Sequence, residues 1–359
     1  MINNSNRPSI LPLTGIRAIA AYMVFIHHYN PFSEARFGHT LHSFFGQFHI
    51  GVTIFFVLSG FLICYNYYEK EVVFKDYLIK RFARIYPVYF LITSLTFVYF
   101  HFYFSKGIAI DVRDYLYNIT FLRGFFDDLK FTGIAQGWSL TVEEVFYLSA
   151  PVFFLLLRKN RVWLIALPVL FMLLGWILSN YVFSNVPLGF MNDNFFVLNF
   201  TFFGRAIEFF CGIGLAIFIL NGKQISSTKF VTYFGIVSII MCLYLLTIFN
   251  IEKKDAEGIM AITINNLLLP LFGIVPLFWG LTKEETIFSK ILSSNLMLLL
   301  GKSSYVFYLI HMGIFVVILN KVSTNGWFQF IVLNIIAVVI FKLIEHPLHL
   351  NIKKKFIRS

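Results

Sequence analysis

Ten apolar stretches recur along the chain, each about 17–25 residues long, which is the length a helix needs to cross a bilayer. Hydrophobic residues make up 58% of the sequence and charged residues only 13%, whereas a soluble domain carries roughly 25% charged residues. We therefore expect an all-α, polytopic membrane protein of about ten transmembrane helices. The stretches cover residues 12–29, 49–67, 86–105, 139–157, 162–180, 203–220, 229–249, 262–281, 303–320 and 328–345.

The segments between these stretches are too short for a second folded domain. The longest, residues 106–138, has room only for a short lid or a re-entrant piece. The first helix lacks a cleavage site of small residues, so we expect a retained signal anchor. The three cysteines fall inside apolar stretches without the close spacing of a metal site, and we expect no bound metal.

The basic residues predict the orientation of the chain. With the N-terminus in the cytoplasm, the inside segments carry more than twice as many Lys and Arg residues as the outside segments. This asymmetry favours both termini in the cytoplasm. It also explains most of the net charge of +11 without nucleic acid, because such charges face anionic membrane lipids.

The first apolar stretch contains RAIAAYMVFIHH, with Arg17 at one end and His27 and His28 at the other. A helix turns about 100° per residue, so Arg17 and His28 lie about 20° apart around the axis, and His27 lies about 80° from Arg17. The backbones of Arg17 and His28 are separated by roughly 16 Å, too far for an ion pair. Both side chains could line one channel. Alternatively, Arg17 extends to the interface and His28 caps the outer end.

Two arginines, in the sequence IKRFARIYPVYF, precede the third apolar stretch. Arg81 and Arg84 are three residues apart and share a helix face. Such a pair suits a phosphate, because each guanidinium can bind it in a bidentate manner. The alternative is a pair of charges that only sets topology. Pro87 indicates that the helix starts or bends here.

The stretch GWSLTVEEVFYL brings Glu143 and Glu144 into an apolar segment. Buried carboxylates are costly, so we expect one of them to be paired or functional, for example by orienting a histidine. Trp138 and Ser139 could cap the helix and cover an active site. The alternative is an acidic first turn that the helix dipole attracts.

Two later stretches also carry polar groups. GRAIEFFCG sets Arg205 and Glu208 three apart, which favours a structural ion pair within the membrane. GKSSYVFYLIH places Tyr305, Tyr308 and His311 along one helix, either as a cavity lining or as hydrogen-bonding contacts between helices.

The order of these motifs resembles that of the acyltransferase 3 family of membrane acyltransferases, from about residue 10 to residue 347. The resemblance is carried by the Arg–His pair eleven residues apart, FFVLSGFLI, the RxxRIYP arrangement, WSLTVEEVFY, LGKSSYVFYLIH and IEHP. Two positions depart from the pattern. Met312 and Gly313 replace the usual bulky residue and Pro, and His346 stands where an arginine is usual.

The resemblance implies an enzyme of the cell (inner) membrane that moves an acyl group, usually acetyl, from cytoplasmic acyl-CoA to an acceptor hydroxyl. The expected acceptor is a glycan or glycolipid, and the remaining partners are membrane lipids. No permanently bound cofactor is implied, since acyl-CoA is the donor substrate. We expect residues 1–359 to form one such domain, without the fused extracytoplasmic domain of some members.

Position by position, the resemblance assigns His28, Arg17 and Glu143 to catalysis, with Glu144 ranked lower. Arg81 and Arg84 match the paired arginines and would hold the phosphates of acyl-CoA, whose arm would pass Arg17 toward His28. The acceptor site or cavity lining is assigned to Trp138, Ser139, Tyr305 and His311.

A rival function comes from another class. A glycan flippase or proton-coupled transporter could use His28 and Glu143 as a proton relay. The sequence lacks the paired broken-helix repeats that many transporters show. Binding of acetyl-CoA separates the two functions.

Overall fold

A computed structural model describes residues 10–70, 73–104, 111–183, 186–222, 230–249, 251 and 254–356. Part of the predicted charge asymmetry falls outside these ranges, on Arg7, Lys106, Lys223, Lys229, Lys253 and Arg358. Within the described ranges the chain is helical and contains no strand. A single isolated bridge joins Phe126 and Phe190 there.

Thirteen helices carry the described architecture, and three of them have eight residues or fewer. In chain order they are α1 (Leu11–Tyr29), α2 (His39–Tyr67), α3 (Phe74–Phe104), α4 (Val112–Ile119), α5 (Ala135–Lys159), α6 (Trp163–Val182), α7 (Asn194–Leu220), α8 (Phe230–Ile248), α9 (Ala256–Lys283), α10 (Ile287–Leu292), α11 (Asn295–Ile310), α12 (Ile314–Asn320) and α13 (Gly326–Phe356).

Every one of the ten apolar stretches corresponds to a helix or a helix pair. Eight helices in the described ranges are long and apolar enough to cross a membrane, and the count is nine if the pair α11 and α12, bent by 81°, is taken as one span. The remaining stretch is α1, which is not among them because Arg17, His27 and His28 lower its hydropathy. The prediction of an all-α polytopic membrane protein is confirmed.

The first of two compact units comprises Met1–Val72, Val152–Ala166 and Ile207–Lys302. Within it α1 packs against α2, α9 and α10, and α8 packs against α9. Helices α2 and α7 approach closely at Gly60, where an added Cβ would collide with the Phe209 carbonyl. Such close approach of backbones is how membrane helices gain packing energy without a hydrophobic driving force between them.

A polar cluster lies in the core of this first unit. The Thr53 hydroxyl donates to Asn265 Oδ1 at 3.4 Å, and the Asn265 amide donates to Asn266 Oδ1 at 2.7 Å. Both asparagines lie on a π-helical stretch of α9, Ile264–Ile274. Pairing among the three side chains offsets the cost of burying them.

The second unit comprises Val73–Pro151, Leu167–Ala206 and Ser303–Ser359. Its centre is α3, which contacts α4, α12 and α13 and contains Pro87. The segment between α3 and α5 holds α4, which the Asp111 side chain caps by accepting from the Arg113 and Asp114 amides. This segment lies where the sequence leaves room for a short lid or a re-entrant piece, and which of the two it forms stays a prediction.

Candidate active site

Helix α1 carries the Arg–His pair of the first unit. Arg17 is half-buried and His28 is exposed. Since the helix is continuous from Leu11 to Tyr29, the two residues share the face that the sequence predicts. Their backbones are roughly 16 Å apart along the axis.

The ring of His28 is fixed in one tautomer by a backbone carbonyl. Its Nδ1–H donates to the Val24 carbonyl at 3.2 Å, an oxygen that can only accept. In the neutral ring the proton therefore lies on Nδ1, and Nε2 carries the lone pair. An exposed imidazole in this tautomer has the chemistry of a general base.

His27 makes different contacts from its neighbour. Its Nδ1–H donates to the Gly46 carbonyl of α2, and its ring lies edge-on to His49, with centroids 5.4 Å apart. His27 is half-buried against α2, while His28 is exposed. The structure thus separates the two histidines by their surroundings, and the assignment of catalysis to His28 remains a prediction.

In the second unit, the predicted phosphate pair lies on α3 ahead of Pro87. Arg81 and Arg84 are both half-buried. The guanidinium carbon of Arg81 lies 6.0 Å from the centroid of the Tyr147 ring, within reach of a cation–π interaction. Arg81 also acts electrostatically on Glu144. Arg81 of the RxxR pair therefore meets the tryptophan block of α5.

Tyr305 of α11 joins this region to the late motifs. Its hydroxyl donates to the Ile85 carbonyl of α3 at 2.8 Å. It also lies within electrostatic range of Glu345, Glu144 and Glu143. Three motifs far apart in the sequence, WSLTVEEVFY, LGKSSYVFYLIH and IEHP, thus converge within one unit.

Ser139 and Trp138 are packed at the start of α5. Ser139 Oγ lies 2.8 Å from the Tyr308 hydroxyl and donates to the Gln136 carbonyl at 3.2 Å. The Trp138 ring stands edge-on to Phe200, with centroids 4.9 Å apart. These contacts explain how both side chains are held in place.

His311 lies at the break between α11 and α12 and is fully buried. Its Nδ1–H donates to the Tyr308 carbonyl at 2.7 Å. The Gln136 side-chain amide donates to the same carbonyl at 2.7 Å and to the Leu309 carbonyl at 3.0 Å. The last carbonyls of a helix have no partner within it. His311 and Gln136 therefore supply donors to the carbonyls at the end of α11, where the helix breaks.

Arg123 supports this arrangement from the extramembrane segment. It is fully buried, and its guanidinium donates to Asn118 Oδ1 at 2.7 Å and to the carbonyls of Thr132 and Ile134. Burial lowers the pKa of Arg123 from its ordinary value, and the hydroxyls of Tyr89 and Tyr308 oppose that shift. The guanidinium fixes the backbone that leads into Gln136.

The predicted residues fall in two units. Arg17 and His28 belong to the first, and Glu143, Arg81, Arg84, Trp138, Ser139, Tyr305 and His311 belong to the second. The orientation of His28 by Glu143 remains a prediction.

Sequence reasoning missed Gln136 and Arg123. Gln136 stands directly before the tryptophan block and carried no signal of its own. In the sequence, Arg123 is one basic residue among those in a segment predicted to lie outside the cell. A polar side chain that pairs with carbonyls of a distant helix leaves no periodic pattern in the sequence.

Comparison with known proteins identifies the family. A family model described as an acyltransferase domain matches residues 11–344. The peptidoglycan O-acetyltransferase OatA of Listeria monocytogenes is 27% identical over 384 residues, covering 96% of this chain and 57% of that relative. The O-acetyltransferase OatA of Staphylococcus aureus is also 27% identical, with 95% and 57% covered.

The acyltransferase MdmB of Streptomyces mycarofaciens is 28% identical over 235 residues, covering 58% of this chain and 57% of the relative. The chain thus spans a little over half the length of these relatives. No solved structure matches the chain significantly. Since the family model covers nearly the whole chain, from the start of α1 into α13, the protein belongs to the acyltransferase 3 family.

Proposed function

We propose that this protein is a membrane O-acyltransferase that moves an acyl group, acetyl in the first instance, from cytoplasmic acyl-CoA to a hydroxyl of a cell-surface or lipid-linked glycan. The proposal places a multi-pass protein in the cell (inner) membrane with both termini in the cytoplasm. Family membership and the names of the relatives support O-acetyl transfer, and peptidoglycan is the first acceptor to test.

The observation that carries the proposal is the state of His28. Its Nδ1–H is bonded to Val24, so Nε2 is the basic nitrogen of an exposed ring. It lies eleven residues from Arg17 in a helix that the acyltransferase match includes. A neutral imidazole is the side chain that most often serves as a general base at neutral pH.

The proposed transfer needs one base and no permanently bound cofactor. His28 Nε2 takes the proton of the acceptor hydroxyl while its oxygen bonds to the thioester carbonyl carbon. The tetrahedral intermediate then collapses, the carbon–sulfur bond breaks, and the CoA thiolate takes the proton from the imidazolium. Glu143 is proposed to stabilise that imidazolium, as carboxylates do in catalytic triads.

Arg81 and Arg84 are proposed to bind the phosphates of the donor. Two guanidinium groups on one helix face can form several charge-assisted bonds to phosphate oxygens. Each such bond contributes on the order of 1.5–3 kcal/mol. Loss of either guanidinium should therefore weaken donor binding by about tenfold or more, and slow the chemical step less.

The test uses the purified full chain in lipid nanodiscs. Calorimetric titration with acetyl-CoA should show binding that Arg81→Ala and Arg84→Ala weaken. Arg113→Ala is the matched control, since Arg113 is exposed on α4 and paired with Asp111 at 3.0 Å. Radiolabelled acetyl-CoA supplied with peptidoglycan fragments should yield an acetylated glycan.

The transporter function predicts a different outcome. A flippase or proton-coupled transporter moves a glycan across the nanodisc or vesicle membrane without any need for acetyl-CoA. Absence of acetyl-CoA binding and transfer by the wild-type protein would refute the acyltransferase proposal. Unchanged dissociation constants in both arginine variants would remove these residues from the donor site.

A further inference from the structure

The C-terminal part of α13, His346–Phe356, packs along α3. His346, His349 and Lys353 recur on this part with spacings of three and four residues. At about 100° per residue they share one helix face. Lys354 and Lys355 point about 100° and 200° away from Lys353. One face of the segment is thus basic, and it differs from the face that carries the other two lysines.

The basic face of α13 meets the arginine pair of α3. Arg84, Lys353, Arg81 and His346 all act electrostatically on the His349 ring. All four are cationic or can become so. His349 is half-buried, and its Nδ1 is buried without a hydrogen-bond partner among the described residues. Two helices therefore bring basic side chains to one place, with a polar nitrogen available at its centre.

Like charges that two helices bring together repel one another, and a bound anion reduces that repulsion. A phosphate bound among them converts repulsion into attraction. The donor types also fit, because arginine binds phosphate oxygens in a bidentate manner and lysine adds a point charge.

We propose that His349 and Lys353 complete a phosphate-binding site with Arg81 and Arg84, and that this site takes the phosphates of the CoA donor. The identity of the donor rests on the proposed function, whereas the convergence of the four side chains does not. The C-terminal helix thereby becomes part of donor recognition. From the sequence alone, Lys353 is only one of the charges that set topology.

An anionic lipid headgroup offers the same phosphate chemistry, so the experiment needs two arms. The first titrates the full chain with CoA and with 3′-dephospho-CoA in nanodiscs of phosphatidylcholine, which has no net charge. The second measures how much phosphatidylglycerol co-purifies with the protein from mixed-lipid nanodiscs. A CoA site responds in the first arm, and a lipid site responds in the second.

The variants are Lys353→Gln and His349→Phe, with Lys354→Gln as the matched control on another face of the same helix. Lys353 is exposed, so its substitution leaves the fold intact. We expect Lys353→Gln to weaken CoA binding about tenfold, equivalent to about 1.4 kcal/mol. His349→Phe should weaken it in the same direction, and Lys354→Gln should match the wild type.

The outcomes separate this inference from the proposed function. If the wild type binds CoA and both variants bind it equally well, the inference fails and the proposed function stands. If the variants lose phosphatidylglycerol but keep their CoA affinity, the site belongs to lipid and the inference is overturned. If the wild type fails to bind CoA, the donor assignment falls and this inference falls with it.

Discussion

Replacing Gln136 tests how the broken span is held together. Gln136 is 3% exposed, and its amide donates to the Tyr308 and Leu309 carbonyls at 2.7 and 3.0 Å. Gln136→Glu keeps the size of the side chain but replaces a two-proton donor with an acceptor. Gln136→Leu removes the donor without adding an acceptor.

The magnitude follows from the bonds that are lost. Each neutral hydrogen bond contributes about 0.5–1.5 kcal/mol, and a buried carbonyl left without a donor costs about 1–3 kcal/mol. The Tyr308 carbonyl keeps the His311 Nδ1–H, so the Leu309 carbonyl bears most of the loss. We expect Gln136→Leu to lower the free energy of unfolding by about 2–4 kcal/mol. Gln136→Glu should also lower stability, because a carboxylate cannot donate to the two carbonyl oxygens and a protonated carboxyl has one O–H where the amide has two N–H groups.

Thermal unfolding in detergent, followed by tryptophan fluorescence, measures both variants against the wild type at matched detergent and lipid content. Both melting temperatures should fall below that of the wild type. A Gln136→Glu variant as stable as the wild type would refute the role of the amide as donor. A loss in Gln136→Leu alone would point to side-chain packing instead.

Three further stability predictions use the same unfolding assay. Glu284 is buried and accepts hydrogen bonds from two backbone amides and a hydroxyl at the start of α8. Glu284→Ala should therefore lower the free energy of unfolding by on the order of 3 kcal/mol. An unchanged melting temperature would contradict that role. Gly60→Ala should lower the free energy of unfolding by about 1–3 kcal/mol, because the added Cβ would collide with the Phe209 carbonyl. Gly326→Ala is the control, and it should leave stability nearly unchanged because Gly326 has open space around it. Arg123→Lys should lower the free energy of unfolding by about 1.5–3 kcal/mol, and the melting temperature with it, because a single ammonium cannot make the several hydrogen bonds of the guanidinium. Stability equal to that of the wild type would show that the positive charge alone suffices.

The fold was largely predictable from the sequence, because a bilayer imposes one length on every span. Apolar stretches marked every helix except the short α4 and α10, which lie between them. The break after Ile310 was not predicted, although Gly313 adopts a positive φ of 80° there. Hydropathy averages over a window and does not register a bend of three residues inside an apolar run.

The site was predictable only in part. Arg81, the tryptophan block and Tyr305 lie together within one unit, and the roles assigned to them stay predictions. The supporting side chains were invisible, because Gln136 and Arg123 act through backbone carbonyls, which every residue carries. His349 was equally hidden, since its neighbours on α3 are more than 250 residues away in the chain.

The central claim is that His28 is the base of an acyl transfer, and the pair of variants His28→Ala and His27→Ala tests it most directly. Acyl transfer to peptidoglycan fragments is measured at equal protein concentration, with acetyl-CoA binding checked for each variant. His28→Ala should lose about 10²–10⁴-fold in rate while still binding acetyl-CoA. His27→Ala should lose its bond to the Gly46 carbonyl and its ring contact with His49, which lowers stability on the order of 1 kcal/mol, and it should keep most of its activity. An active His28→Ala beside an inactive His27→Ala would contradict the account and move the reaction to the other histidine.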